Sequence, residues 1–480
     1  MAKKDFNLIV IGGGSAGLVS AYIGSVLKAK VALIEKHKMG GDCLNTGCVP
    51  SKALIRSGKI LSYIQRHEKF GLKSATADFN FADIMERVQA IISKVEPHDS
   101  IERYTRLGVD CFTGEARIRS PHEVEVNGQV LTTKNIIIAT GARPAVPPIP
   151  GLDQVEALTS DTLWNLRELP KRLLVAGGGP IGSELAQALA RVGSKVTQVE
   201  MLPDILSRED EEVSRTVREK FLAEGIDVRT NTRCKEVVKE GGRTFMRLET
   251  QNGTEDIEFD RVLVAVGRAA NAKGFGLEEI GVKLGPRGTV EVDDYLRTTM
   301  HKNIYACGDV AGPYQFTHTA AHQAWYCAVN ALFSPFKKFR VDYRVIPWCT
   351  FTDPEVARVG LNEREAKEKN IPYEVTTYGI DDLDRAIADS EDHGFVKVLT
   401  VPGKDKILGV TIVGYHAGDL IAEYVLAMKH GLGLNKILGT IHIYPTMAEA
   451  NKFAAGVWKQ AHAPQGLLKW VQKFHAWRRG

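Results

Sequence analysis

Two cysteines stand with four residues between them in Gly40-Gly41-Asp42-Cys43-Leu44-Asn45-Thr46-Gly47-Cys48-Val49-Pro50-Ser51-Lys52. A separation of five is wrong for neighbours on one helix face, which want three or four. A disulfide needs its two Cα atoms within about 7 Å, so joining this pair requires a locally distorted turn. That suits redox work better than a structural staple. A small zinc knuckle or a pair of inert thiols are the competing readings. Zinc wants four ligands, and no second Cys pair at metal spacing exists in the chain. Cys111, Cys234, Cys307, Cys327 and Cys349 stand alone in sequence and read as buried thiols.

Glycine-rich turns supply a second chemistry, and they occur twice. Phe6–Ile11 is an apolar run rich in branched residues, which reads as a buried parallel strand. It enters Gly12-Gly13-Gly14-Ser15-Ala16-Gly17, a helical stretch to about Lys28, and a second strand, Val31–Ile34, ending at Glu35. Gly12 allows the tight turn, Gly14 lets backbone approach a pyrophosphate, and Gly17 lets helix pack on strand. The helix start offers unpaired N–H groups to phosphate, and Glu35 is placed to accept ribose hydroxyls. The pattern recurs from Arg172–Ala176 through Gly177-Gly178-Gly179-Pro180-Ile181-Gly182, a helix to about Arg191 and the strand Lys195–Val199, ending at Glu200. Two fingerprints imply two dinucleotides, and a flavin with a nicotinamide explains both, because hydride must pass between them. Glu200 would repel a 2′-phosphate, and Met201 and Leu202 follow where arginines would welcome one. NADH is therefore expected over NADPH.

The stretch from Gly40 to Lys52, directly after the first fingerprint, resembles the redox-active disulfide of the pyridine nucleotide–disulfide oxidoreductases, a family that includes dihydrolipoamide dehydrogenase, glutathione reductase and mercuric reductase. The resemblance implies FAD in the first site and NAD(H) in the second. It implies a Cys43–Cys48 disulfide beside the flavin, with Cys48 the flavin-proximal thiol, Cys43 the outer interchange thiol and Lys52 near the flavin N5. A thiolate beside a helix start and a lysine has a lowered pKa, as thiol–disulfide exchange needs. Glu184 matches the family glutamate that pairs with this lysine. The strand Asn135–Ala139 ending in Thr140-Gly141 resembles the motif that closes the first part of the FAD domain. Gly267-Arg268 with Asn271 resembles a motif whose arginine lies by the NAD adenine. Asn303–Asp309 resembles the second FAD motif, which puts Asp309 on the ribityl chain. The implied mechanism passes electrons from NADH through FAD to the cysteine pair and on to substrate, or the reverse.

Several elements must position these residues. Residues 54–107 read as two long helices, marked by Ile55, Ile60, Leu61 and Ile64, then by Ile84, Val88, Ile91, Ile92 and Val95, with Gly71–Asp78 as loop. Val109–Val130 reads as a β-meander turning at Asn127-Gly128, and Pro144–Pro150 as an extended linker. The charge run Arg208–Glu212 reads as a solvated helix start. A length of 480 residues predicts about three domains, and 44% apolar residues allow sizeable cores. A net charge of +4 without a basic stripe in the body argues against a nucleic-acid partner. Seven cysteines are too few, and odd, for a secreted disulfide framework. No apolar run reaches the roughly 18 residues of a membrane span, and the N-terminus leads into a strand without a signal peptide. A cytoplasmic protein without a resident metal is expected.

From Arg340 the character changes, and Pro347–Glu355 with the mixed segments that follow resembles the family's dimerisation domain, which completes the partner's active site. Most dithiol-handling members carry His directly before Pro-Thr, as base for the interchange thiol, and a Glu five residues later to hold its imidazole. In His442-Ile443-Tyr444-Pro445-Thr446-Met447-Ala448-Glu449 the Glu is present, but the base position is Tyr444. Tyr titrates near 10 and His near 6.5, so this tyrosine is a poor general base at pH 7. Mercuric reductases also place Tyr here, yet they end in a vicinal Cys pair, and no cysteine follows Cys349. His442 reads either as a substitute base or as a satisfied structural histidine; His318 and His322 read as helix-start and packing residues. In the tail Gln465–Arg479, Leu467, Trp470, Val471, Phe474 and Trp477 recur at helical spacing. Docking on its own dimer is the favoured reading there, and a membrane surface or partner the other.

The chain thus reads as α/β, with two Rossmann-like nucleotide-binding domains and a C-terminal α+β dimerisation domain. The expected boundaries are 1–150 and 273–340 for FAD, 151–272 for NAD, 341–460 for dimerisation and 461–480 for the tail. The expected function is that of a homodimeric, dihydrolipoamide dehydrogenase-like disulfide oxidoreductase acting on a small thiol or disulfide or a lipoyl carrier protein. A mercuric reductase-like metal reductase is the alternative within the family. A flavoprotein acting mainly as a docked binding partner is the alternative outside it.

Overall fold

A computed structural model describes residues 3–334 and 336–480. They fall into two compact units, one of residues 3–65, 75–203, 225–334 and 336–342, the other of residues 66–74, 204–224 and 343–480. In the first unit, β1 (Phe6–Ile11), β2 (Val31–Glu35), β3 (Val109–Thr113), β4 (Ala116–Ser120), β5 (Glu123–Val126) and β6 (Gln129–Ile138) form a sheet in the order β3-β2-β1-β6-β5-β4. β1 pairs in parallel with both β2 and β6. It is buried on both faces, which is why its sequence is apolar without alternation. The meander differs from expectation in two ways. Val109–Thr113 lies parallel to β2 rather than in the hairpins. The last hairpin strand and the strand from Asn135 are one element, β6, entered through Asn127 (φ 50°) and Gly128 (φ 76°).

α1 (Ser15–Val26) follows the first glycine turn. α2 (Gly41–Asn45) and α3 (Cys48–Gln65) divide the cysteine stretch, so the first long helix starts at Cys48 rather than near residue 54. The second long helix is two: α4 (Phe81–Val95) stops ahead of Pro97, which lacks the N–H to continue it, and α5 (Ile101–Arg106) follows. β7 (Ala142–Pro144) leaves this lobe. Beyond it come β8 (Ala157–Leu158), β9 (Arg172–Ala176), α6 (Pro180–Arg191), β10 (Lys195–Val199) and β11 (Asp227–Arg229), then the antiparallel β12 (Arg233–Glu240), β13 (Arg243–Thr250) and β14 (Gly253–Glu258), and β15 (Arg261–Val264). The second sheet is parallel throughout, in the order β11-β10-β9-β15-β8. The chain returns through β16 (Arg268–Ala270), which pairs antiparallel with β7. It completes the first sheet with β17 (Ile304–Ala306) beside β6. Cys307 and Cys327 are both buried and lie against one another, so these two thiols are not isolated.

The second unit is built on an antiparallel sheet of β18 (Pro347–Thr350), β19 (Glu355–Gly360), β20 (Glu374–Gly379), β21 (Phe395–Thr400) and β22 (Ile407–Gly414), in the order β18-β19-β22-β21-β20. It includes α7 (Glu211–Ala223), and the charge run ahead of that helix is not solvated. Glu209 and Asp210 are buried. Arg358, 1% exposed, sets Nε 2.9 Å from Glu209 and Nη1 3.0 Å from Glu365, with its guanidinium 4.2 Å from the Trp348 ring. Lys397 lies 2.9 Å from Asp210 and also pairs with Glu212 and Glu363. Acidic residues in a row signal solvent only when no buried cation faces them. Among the described residues no helix is long and apolar enough to cross a membrane.

Candidate active site

The cysteine stretch folds as a broken helix. Cys43 sits in α2, Cys48 is the first residue of α3, and Thr46-Gly47 between them interrupts the helical path. This break is the local distortion that a five-residue separation demands. The two thiols are unbonded and in hydrogen-bonding contact. That contact lowers the Cys48 thiol to about 6, against partial desolvation by the groups around it, with Thr317 and the charge of Lys52 adding to it. The same contact, with burial, pushes Cys43 far up. The pair therefore shares one proton near neutrality, held on Cys43, with the thiolate on Cys48. Cys48 Sγ lies 3.3 Å from Thr317 Oγ1, at the start of α8 (Thr317–Phe333). Two helix N-termini thus face the thiolate, where their partial positive charge stabilises it.

Lys52, one turn into α3, places Nζ 2.7 Å from Oε2 of Glu184 on α6. The helix that carries the thiolate is so tied to the helix of the second fingerprint. Gly58 of α3 sits against Ala188 and Arg191 of α6, where a Cβ would come within 3.4 Å of both.

The two glycine turns are built alike. Gly12 (φ 108°) and Gly177 (φ 119°) adopt backbone that favours glycine, and a Cβ on either would collide with a strand carbonyl, Ala139 O or Ala265 O. A Cβ on Gly17 or Gly182 would collide with the carbonyl of Gly12 or Gly177. Gly14 and Gly179 differ: a Cβ on Gly179 meets nothing within 4 Å, and one on Gly14 only the Gly41 backbone at 3.7 Å. No protein atom demands glycine at these two positions, and room for a pyrophosphate does. Glu35 accepts the Gly13 N–H at 2.6 Å, and Glu200 accepts that of Gly178 at 2.6 Å. Each carboxylate is thereby fixed at the end of its second strand. The residues present fit two dinucleotides.

Three motifs far apart in sequence meet between these turns. Thr140 donates to the Asn271 carbonyl at 2.6 Å, and Asn271 returns a bond to Thr140 O at 2.9 Å. Gly141 (φ 67°) and Gly267 (φ 149°) make the sharp exits around this clasp. Arg268 sets Nε 3.3 Å from Asp309, bonds the Ala142 carbonyl at 2.9 Å, and also pairs with Asp42 beside Cys43. Its guanidinium is thus engaged at the second FAD motif and the cysteine loop, a grouping not visible in the sequence, which had assigned it to the NAD adenine. Burial pushes the Asp309 carboxyl up, against the pull of Arg268. Gln323 on α8 accepts from Gly308 N at 2.6 Å and donates to Gly312 O at 2.7 Å, which locks the Asp309 loop to that helix.

The remaining residues singled out from sequence lie in the second unit. His442 Nδ1 is 3.0 Å from the Thr440 carbonyl, and Nε2 is 3.0 Å from Glu423, which also accepts from Asn451 at 2.9 Å. Both ring nitrogens thus face oxygen acceptors of the surrounding fold, which ties the His442 ring into a hydrogen-bond network with Glu423 and Asn451. Tyr444 is 68% exposed and donates to Asp384 at 3.0 Å. That bond and the carboxylate charge raise its pKa, so it stays neutral at pH 7. Glu449 is buried at the start of α13 (Glu449–Ala461) and accepts the Thr446 N–H at 3.3 Å. The carboxylate on Tyr444 is thus Asp384, not Glu449. Thr317 and Asp384 went unnoticed in the sequence. Thr317 had a faint signal, as the first residue of a helix after a Gly-Asp turn; Asp384 had none.

One mixed and one parallel nucleotide sheet, joined through a thiolate-bearing helix, define a flavoprotein that exchanges electrons between a nicotinamide and a cysteine pair. The pattern of the pyridine nucleotide-disulphide oxidoreductase family matches residues 6–324, and that of the family's dimerisation domain matches residues 346–455. The chain belongs to this family and is an NAD(P)H-dependent flavoprotein disulfide oxidoreductase. It is 36% identical to a mercuric reductase of Staphylococcus aureus, covering 94% of this chain and 82% of that one. It is 35% identical to a dihydrolipoyl dehydrogenase of Chlamydia muridarum, covering 93% and 95%. Among solved structures, the HOCl-induced flavoprotein disulfide reductase RclA from Escherichia coli superposes with a TM-score of 0.82 at 26% identity, covering 94% of this chain and 99% of that one; a Cu(II) complex of the same protein also matches.

Proposed function

We propose that this chain is an NADH-using, homodimeric reductase that delivers electrons through Cys43 and Cys48 to an oxidised thiol substrate. The observation that carries the reading is the contact between the two thiols, with Cys48 Sγ 3.3 Å from Thr317 Oγ1 and Lys52 one turn along the same helix, paired to Glu184 at 2.7 Å. FAD held by Gly12, Gly14, Gly17, Glu35, Thr140, Gly141 and Asp309 supplies, when bound, the two-electron relay from nicotinamide to disulfide. Gly177, Gly179, Gly182 and Glu200, with the turn at Gly267, hold the nicotinamide dinucleotide. Glu200, followed by Met201 and Leu202, favours the unphosphorylated ribose.

On the substrate side the proton on Cys43 passes to Cys48, and the freed Cys43 thiolate attacks one sulfur of the substrate disulfide; the first substrate thiolate leaves and takes that proton from Cys48. The Cys48 thiolate then attacks Cys43 Sγ, and the second substrate thiolate leaves, taking a proton from solvent, as the Cys43–Cys48 bond forms. The proton moves within the pair, because Tyr444 stays neutral. A dithiol oxidised in the reverse direction would need a base to deprotonate it, and this chain offers none at Tyr444. The arrangement favours reduction of an acceptor over oxidation of a dithiol.

A second reading rests on the same tyrosine. A thiophilic metal ion displaces the thiol proton itself and needs no base, so a soft-metal acceptor suits Tyr444 at least as well as a disulfide. The relatives named mercuric reductase support it.

Steady-state assays of the purified holoenzyme separate these. NADH oxidation with lipoamide should exceed NAD⁺ reduction with dihydrolipoamide, depend on Cys48, and exceed the NADPH rate by about tenfold or more, which is about 1.4 kcal/mol. Tyr444→His should raise dihydrolipoamide oxidation by about 10²-fold, the usual worth of a positioned base. NADH oxidation on Hg²⁺ or Cu²⁺ far above that on any disulfide selects the second reading. NADH oxidation independent of Cys48 sinks both.

A further inference from the structure

We propose that the C-terminal helix α14 (Gln465–Arg479) is an in-plane anchor for an anionic lipid surface. None of its residues is buried. Leu467, Trp470, Val471, Phe474 and Trp477 share one face, and Lys469 and Lys473 stand on the other. The rings of Trp470 and Phe474 lie parallel, 5.8 Å apart at 6°, and the Arg478 guanidinium is 5.9 Å from Phe474. The result is an aromatic slab with cations at its border, the composition of helices that lie at the headgroup boundary.

Charge selects the occupant. Residues 462–480 contain no Asp or Glu and four Lys or Arg, and those four account for the whole formal net charge of +4. The remainder of the chain is neutral in sum, so a second copy carries no overall field that draws this helix to it. An anionic bilayer offers a continuous negative surface together with an apolar layer for the aromatic face. At about 1.5 Å per residue the helix is roughly 22 Å long, short of a hydrocarbon core of about 30 Å. It therefore lies on the surface and does not cross it. The matched dimerisation pattern ends at residue 455, ahead of this element.

The test uses the full-length holoenzyme in flotation with vesicles of phosphatidylglycerol and phosphatidylcholine, against phosphatidylcholine alone. The protein should float with the anionic vesicles only, with a blue shift of tryptophan emission that Trp470→Ala with Trp477→Ala abolishes. Lys469→Gln with Lys473→Gln should weaken partitioning about twentyfold, each basic residue near such a surface being worth about a fivefold factor. Both double variants should keep the flavin content, hydrodynamic mass and NADH turnover in solution of the parent. Absence of flotation, or equal partitioning onto the zwitterionic vesicles, overturns the proposal. A lower hydrodynamic mass in the Trp470→Ala/Trp477→Ala variant also overturns it and assigns the helix to the second copy.

Discussion

At the residue scale the decisive property is where one proton sits. A thiol whose pKa is depressed is a thiolate above that value and is protonated as pH falls through it. With Cys48 lowered to about 6 and its ordinary value 9.0, alkylation of the reduced enzyme at Cys48 should rise between pH 5 and 7 and be flat by about pH 8. An unperturbed thiol would still be climbing there. Cys43→Ala removes the largest cause of the depression, so the midpoint should move upward. A rate at Cys48 with an unshifted midpoint near 9 would refute the shared proton. The types and spacing of these cysteines were legible in the sequence, as were Lys52 and Glu184, because each belongs to a contiguous motif. Thr317 was not: it reaches Cys48 across 269 positions, and only the fold makes them neighbours. His442 was ambiguous for the same reason, since its partner Glu423 lies on another element and gives no local pattern.

Glycine turns and buried parallel strands announce themselves at the element scale, because sterics and desolvation act within a few residues of sequence. Both fingerprints, their strands and the helices that follow were readable to within a residue or two. The charge run before α7 misled for the opposite reason. Charged residues are mostly exposed, and nothing nearby in sequence reveals that Arg358 and Lys397 arrive from β19 and β21 to neutralise Glu209 and Asp210. Arg358 is enclosed, so its loss leaves Glu209 buried without its cation. Arg358→Ala should destabilise the C-terminal unit by about 3–5 kcal/mol, read as a lower urea midpoint with unchanged slope. Adding Glu209→Gln should recover a large part of that, since the remaining amide still accepts from Trp348 and carries no charge. A loss below about 1 kcal/mol for the single variant, the range of an exposed pair, would show the pair to be solvated after all.

For the whole molecule the question is what covers the substrate-side segment of the second unit. Ile441 is 95% exposed, Ile443 78% and Tyr444 68%, three consecutive or near-consecutive apolar-bodied side chains in a segment that otherwise folds tightly around His442 and Glu449. Isolated exposed apolar residues are ordinary, but a contiguous set marks an interaction site. These lie inside the stretch matched by the family's dimerisation domain, residues 346–455. A second copy of the chain is the occupant that this match supports, and burying the two isoleucines would contribute about 3–6 kcal/mol at 1.5–3 kcal/mol each. Ile441→Asp with Ile443→Asp replaces that gain by the cost of desolvating two carboxylates. The double variant should sediment as a monomer at concentrations where the parent is a dimer. Each nucleotide fingerprint and the Cys43–Cys48 pair belong to the first unit, so the variant should keep its flavin and its NADH-dependent reduction of small dyes. Turnover of a disulfide substrate should fall by about 10²-fold, the usual worth of groups that position a reacting centre. A variant that stays dimeric with full disulfide turnover would place the interface elsewhere and leave Tyr444 outside the reaction.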